Sequence, residues 1–123
     1  MVIKMESEYT GIERRRSPRV KTWLKAKLFG KNCRRFLPVI NLSYHGALLK
    51  SRRFLRPDEE LDLSIELPVS WNSINLKARV ARVNAVCSMW GFSTFYVGIE
   101  FLNLIPAQKE TLAESIVTLM KAA

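Results

Sequence analysis

The chain has 123 residues, 48% of them apolar and 10% aromatic, and 20 Lys and Arg against 11 Asp and Glu give it a formal net charge of +9. That apolar fraction is too high for a disordered chain, the length suits one domain with one core, and no apolar run approaches the roughly 20 residues of a membrane-spanning helix. The charge is also segregated: fourteen Lys and Arg and no Asp or Glu lie between Arg14 and Pro57, while the remainder holds six basic and eleven acidic residues. A half with this balance points either to an anionic partner (nucleic acid, nucleotide or membrane phosphate) or to a basic solvated face.

The opening "MVIKMESEYTGIE" mixes acids with apolar residues and lacks the apolar stretch of a secretory signal, which points to the cytoplasm. Residues 1–13 read as a flexible tail ahead of a single domain, 14–123. In "RRRSPRV", Pro18 fixes its own φ and biases Ser17 toward extended geometry, so the segment reads as a loop entering a strand. A loop bearing Arg14, Arg15, Arg16 and Arg19 can close over an anion, or stay solvated.

Alternation then dominates. "VKTWLKAKLFG" sets Val20, Thr22, Leu24, Ala26 and Leu28 against Lys21, Trp23, Lys25 and Lys27, the pattern of a half-buried strand. "RRFLPVIN" and "GALLKS" read as two further strands joined by "LSYHG", where Gly46 permits a tight turn or a close backbone approach. "RFLRPDEE" is a loop, and "LDLSIELP" is a strictly alternating strand that Pro68 ends. "INLKARVARVNAV" is long enough to be bent or bulged, "CSMWGFS" is a turn, and "FYVGIEFLNL" supplies the sixth strand. Beyond it the period changes. Leu112, Ile116, Leu119 and Met120 recur at helical spacing, with Pro106 suited to the first turn. Six short strands with one apolar face each are best buried as a small antiparallel β-barrel, and the C-terminal α-helix plugs or flanks it, giving a mainly β fold.

Catalytic and metal chemistry find little support. Cys33 and Cys87 form no Cys-x-x-Cys pair and His45 is the only histidine, so no zinc site is expected and both cysteines read as reduced, packed thiols. Ser43 and His45 lie two apart on one turn, with no carboxylate in the basic half to orient the ring, and do not make a nucleophile and base. Trp23, Trp71 and Trp90 read as packing or rim residues.

Two strings together are more specific. Arg15 and Arg19 form Arg-x-x-x-Arg, and beyond an intervening strand pair Asn41, Ser43 and Gly46 form Asp/Asn-x-Ser-x-x-Gly. In this order they resemble the PilZ domain, a bacterial receptor for cyclic di-GMP, and "YVGIEFLNL" with the terminal helix resembles that family's closing strand and helix, extending the likeness over residues 12–123. The resemblance implies a receptor, not an enzyme. It implies cyclic di-GMP as ligand with no cofactor or metal, a ligand set of Arg15, Arg19, Asn41, Ser43 and Gly46, and relay of the signal to a downstream protein by ordering of the arginine loop. In that family a basic residue where Arg14 stands accompanies two intercalated ligand molecules per chain.

The side chains suit this ligand. Arginine can be bidentate to phosphate or to guanine O6 and N7 and can stack on the base. Asn41 offers amide donors and an acceptor, and Ser43 a hydroxyl. The alternative is a small basic β-barrel that binds nucleic acid through its Lys and Arg faces. A membrane-phosphate reading ranks third, because no basic amphipathic helix is evident.

Overall fold

A computed structural model describes residues 19–30, 33–68, 73–91 and 93–122. Six strands, β1 (Val20–Gly30), β2 (Cys33–Leu42), β3 (Gly46–Ser51), β4 (Glu60–Glu66), β5 (Ser73–Cys87) and β6 (Ser93–Leu102), precede one helix, α1 (Pro106–Ala122). Every pairing is antiparallel, and the strands close into a barrel in the order β1, β2, β3, β6, β5, β4. The mainly β barrel with a C-terminal helix expected from the alternation is therefore the observed fold. The expected tail at residues 1–13 and the arginines at 14, 15 and 16 lie outside the described residues, as does Trp71.

Alternation places the core. On β4, Leu61, Leu63 and Ile65 are buried between exposed or half-exposed neighbours, and they meet Ala26, Leu28, Leu37, Val39, Leu49, Leu76, Ala78, Val80, Val97 and Ile99 inside the barrel. From α1, Leu112 and Ile116 are fully buried in the same cluster and Leu119 packs against it. Met120 departs from the expected stripe and is 51% exposed. At about 100° per residue it lies roughly 80° around the helix from Leu112, while Ser115, about 60° to the other side, is fully buried instead. The helix start is fixed to the barrel by Gln108, whose Oε1 accepts from the Ile105 N–H at 2.9 Å while its Nε2 donates to the Asn75 carbonyl on β5 at 2.8 Å. Pro106 in the first turn needs no hydrogen-bond acceptor there.

Three pairings depart from regular register, β1–β2, β2–β3 and β5–β6. Ile40 and Asn41 of β2 stand opposite the single residue Leu48, and Ala81 and Arg82 of β5 opposite the single residue Gly98. The third shift inserts one residue of β1 between Lys21 and Leu24 relative to β2. The β1–β4, β4–β5 and β3–β6 pairs run without interruption. In β2 and β5 the extra residue resets the alternation, whereas in β1 the buried Val20, Ala26 and Leu28 keep one parity across the shift. Continued from Leu37 and Val39, a period of two would turn Asn41 into the core, and continued from Ala78 and Val80 it would do the same to Arg82. After the shifts it is Leu42 that is buried, with Asn41 half-exposed and Arg82 exposed. Thr22 keeps the expected parity and is half-buried, and it also lines a hollow beside Lys21 and Trp23.

Candidate functional site

The turn between β2 and β3 is organised by Ser43. Its backbone N–H donates to the Gly46 carbonyl at 2.9 Å. Its hydroxyl donates to the same carbonyl at 3.1 Å and accepts from the N–H groups of His45 at 3.3 Å and Gly46 at 3.2 Å. A hydroxyl has one proton and two lone pairs, so these bonds use its whole capacity. The turn is then anchored to β6, where the Phe101 N–H donates to the His45 carbonyl at 2.8 Å. Gly46 is the close approach in this arrangement, since a Cβ there would stand 2.1 Å from the Ile99 carbonyl oxygen. Ser43 and Gly46 thus shape the turn: the hydroxyl is satisfied by backbone, and the space a Cβ would fill at Gly46 is occupied by β6.

Beside the turn, on the outside of the barrel, lies a hollow of about 230 Å³ lined by Arg19, Asn41, Ser43, His45, Gly46, Arg82, Gly98 and Glu100 among others. It gathers Arg19 from the first string and Asn41, Ser43 and Gly46 from the second; Arg14 and Arg15 fall outside the described residues. Asn41 also borders a second hollow of about 540 Å³, with Lys21, Thr22, Trp23, Ile40, Lys50 and Tyr96. Trp23 and Lys50 in turn border a third of about 630 Å³ that includes Arg35, Phe36, Arg52 and Arg53. Trp23 is 72% exposed, with the Lys50 ammonium 6.0 Å from its ring centroid, and Lys27 lies 5.5 Å from the rings of both Phe29 and Phe36. Of the two alternatives expected for the tryptophans, packing or rim, Trp23 is a rim residue of two hollows, and Trp90, 81% exposed, does not pack. Cys87 is a free thiol but exposed rather than packed.

Among the described residues lining these three hollows, Glu100 is the only carboxylate. Arg79 holds it at 2.7 Å, and this hydrogen bond and charge raise the Arg79 guanidinium above its ordinary pKa. Both side chains are about half exposed, so the pair adds little to stability. Its effect is local, leaving the hollow net basic. Arg82, Trp23, Lys50 and Tyr96 line these hollows and belong to neither string. For Arg82 a signal was present in "ARVARV", since an arginine at an inward position of a barrel strand requires a register shift to turn it out. Among the described residues no cluster of three His, Cys, Asp or Glu could hold a metal ion, and no helix is long and apolar enough to cross a membrane.

Solved structures share this architecture. The PilZ domain of YcgR from Escherichia coli, determined with c-di-GMP, has a TM-score of 0.73 at 16% identity, covering 89% of this chain and 94% of that one. The MrkH–c-di-GMP complex of K. pneumonia has a TM-score of 0.76 at 16% identity over 89% of this chain. The Bacillus subtilis inhibitor of motility MotI/DgrA has 0.72 at 18% identity over 90%. The chain spans 53% of the length of each of the latter two. A search of curated protein sequences returns no match. At such identities the likeness shows the fold. The family follows from the sequence itself, because the PilZ domain model matches residues 13–117, most of the chain: this protein belongs to the PilZ domain family.

Proposed function

We propose that the protein is a receptor for cyclic di-GMP that binds the ligand on the outside of the barrel through Arg15, Arg19, Asn41 and the turn built by Ser43 and Gly46, with Arg14 beside them. The observation that carries this reading is that Arg19 and Asn41, one from each string, border the same hollow. Membership of the PilZ family supports it, as do the c-di-GMP complexes of the YcgR domain and MrkH. The role of the turn is to hold Asn41 and backbone groups in place; its serine hydroxyl is already engaged.

Size supports a ligand that extends past the turn. A hollow of about 230 Å³ is smaller than the roughly 300 Å³ at which small-molecule sites begin. A cyclic dinucleotide anchored there continues across Asn41 into the neighbouring hollow, where the exposed Trp23 ring offers a face for a base and Lys50 a charge for a phosphate. That larger groove supports two ligand molecules per chain. Binding is read out by ordering of the arginine segment over the barrel, presenting a new surface to a partner protein.

Calorimetric titration with cyclic di-GMP, with GMP as control, tests the proposal. Saturable heat with the dinucleotide alone is expected. Folded protein that gives none at high micromolar ligand overturns it. A shallow salt dependence is expected for a ligand with two phosphates, whereas a nucleic-acid-binding barrel loses affinity steeply as salt rises.

A further inference from the structure

Arg82 belongs to neither recognised string, yet the strand places it in the same hollow as Arg19 and Asn41. Its position depends on the extra residue in β5. Arg79 pairs with Glu100 and Val80 with Ile99, and after the shift Arg82 pairs with Gly98 and Val83 with Val97. Arg79 and Arg82, three apart and so of opposite parity in a regular strand, both face outward here. The Arg82 side chain then lies across Gly98: a Cβ on that glycine would stand 3.2 Å from both its Cγ and its Nε. The bare backbone of Gly98 is what lets the guanidinium stem lie low over β6, beside the turn. Among the described residues Arg82 makes no ion pair, because Glu100, the one carboxylate lining the hollow, is bound by Arg79 at 2.7 Å.

We propose that Arg82 is a further ligand-binding residue of this site, a guanidinium for phosphate or guanine. In this arrangement Arg79 is a positioning residue that keeps Arg82 available by holding Glu100. The inference rests on the proposed function for the identity of the ligand. Without Arg79, Glu100 is free to pair with Arg82 or to repel the ligand's phosphates across a short distance at partial exposure, where screening is incomplete. A planar guanidinium that can be bidentate to phosphate or to guanine O6 and N7 is the side chain this role requires.

The test is calorimetry with cyclic di-GMP on the full chain, with thermal unfolding as the check on folding. Arg82→Ala is expected to weaken binding about tenfold or more, the scale of one bidentate arginine contact. Gly98→Ala is expected to weaken binding when Arg82 is present and to have no further effect in the Arg82→Ala background. Arg79→Gln is expected to weaken binding, with affinity recovered by adding Glu100→Gln and retained in Arg79→Lys. A purely structural role for Arg79 gives no such recovery. Unchanged affinity in Arg82→Ala overturns the assignment, and an Arg79→Gln loss that Glu100→Gln does not restore overturns the positioning role. If the native protein binds no cyclic di-GMP, the proposed function fails, and a second measurement still decides this inference. The Arg82 Nε–H NMR signal, identified by its loss in Arg82→Ala, is expected to shift on titration with pyrophosphate. A signal unmoved by pyrophosphate then overturns it.

Discussion

Among individual residues, Ser43 and Gly46 are committed to the turn, while Arg19 and Asn41 line the hollow beside it. Arg19 is exposed at the rim of the turn hollow. Arg19→Ala is expected to leave the unfolding midpoint near the native value while reducing cyclic di-GMP affinity by about 1–3 kcal/mol in a calorimetric titration. Ser43→Ala is expected to behave differently. It removes the acceptor of two backbone N–H groups and one donor in a buried turn, so denaturant unfolding should show a loss of about 1–3 kcal/mol, with any loss of binding following from the loosened turn. The sequence could name Ser43 and Gly46 but not assign these roles. Their partners are the backbone of their own turn and the Ile99 carbonyl more than 50 residues away, a proximity created only when β3 pairs with β6. Arg82 was legible in principle, from parity, but only once β5 was known to run on as one paired strand beyond the register shift next to it.

Alternation predicted the strands well because each buries one face against a shared core, and the length of "INLKARVARVNAV" pointed to the irregularity in β5; it did not say which residue is surplus there, nor that β2 carries a matching shift beside Asn41. Register is fixed by the neighbouring strand, which local sequence does not contain. The helix shows the corresponding limit. Its stripe was read as Leu112, Ile116, Leu119 and Met120, but the buried arc is centred on Leu112 and takes in Ser115, whose Oγ has no hydrogen-bond partner among the described residues. Ser115→Ala is therefore expected to raise stability in denaturant unfolding by up to about 1 kcal/mol, as an unsatisfied buried hydroxyl is removed. Ile116→Ala, one position on, opens a cavity in the core cluster and is expected to lower stability by about 2–5 kcal/mol. If Ser115→Ala costs as much as Ile116→Ala, the hydroxyl has a partner and the arc is drawn wrongly.

Across the whole molecule, charge segregation in the sequence becomes a groove. The acid-free stretch from Arg14 to Pro57 supplies Arg19, Lys21, Lys50, Arg52 and Arg53 to the three adjoining hollows, and the later, net acidic half contributes one carboxylate, already paired. Two stacked ligands would bring four phosphate charges into that groove, and Arg14 is the guanidinium expected to offset part of them. Calorimetry with independently measured concentrations should give two ligands per chain in the native protein and a move toward one in Arg14→Leu. A native stoichiometry of one removes Arg14 from that role. The uneven barrel, regular around β4 and irregular around β2 and β5, has one more consequence, for the lengths of chain this fold accepts. Ala81 is surplus to pairing: without it Val80 still meets Ile99 and Arg82 still meets Gly98, in an unbroken ladder. A chain lacking Ala81 is expected to fold with every core residue facing inward and to lose only the local twist that aims Arg82, whereas removing Ala78, from the regular stretch, would turn part of β5 inside out. Side by side, the unfolding midpoints of the two deletions would show where this barrel can gain or lose a residue and where it cannot.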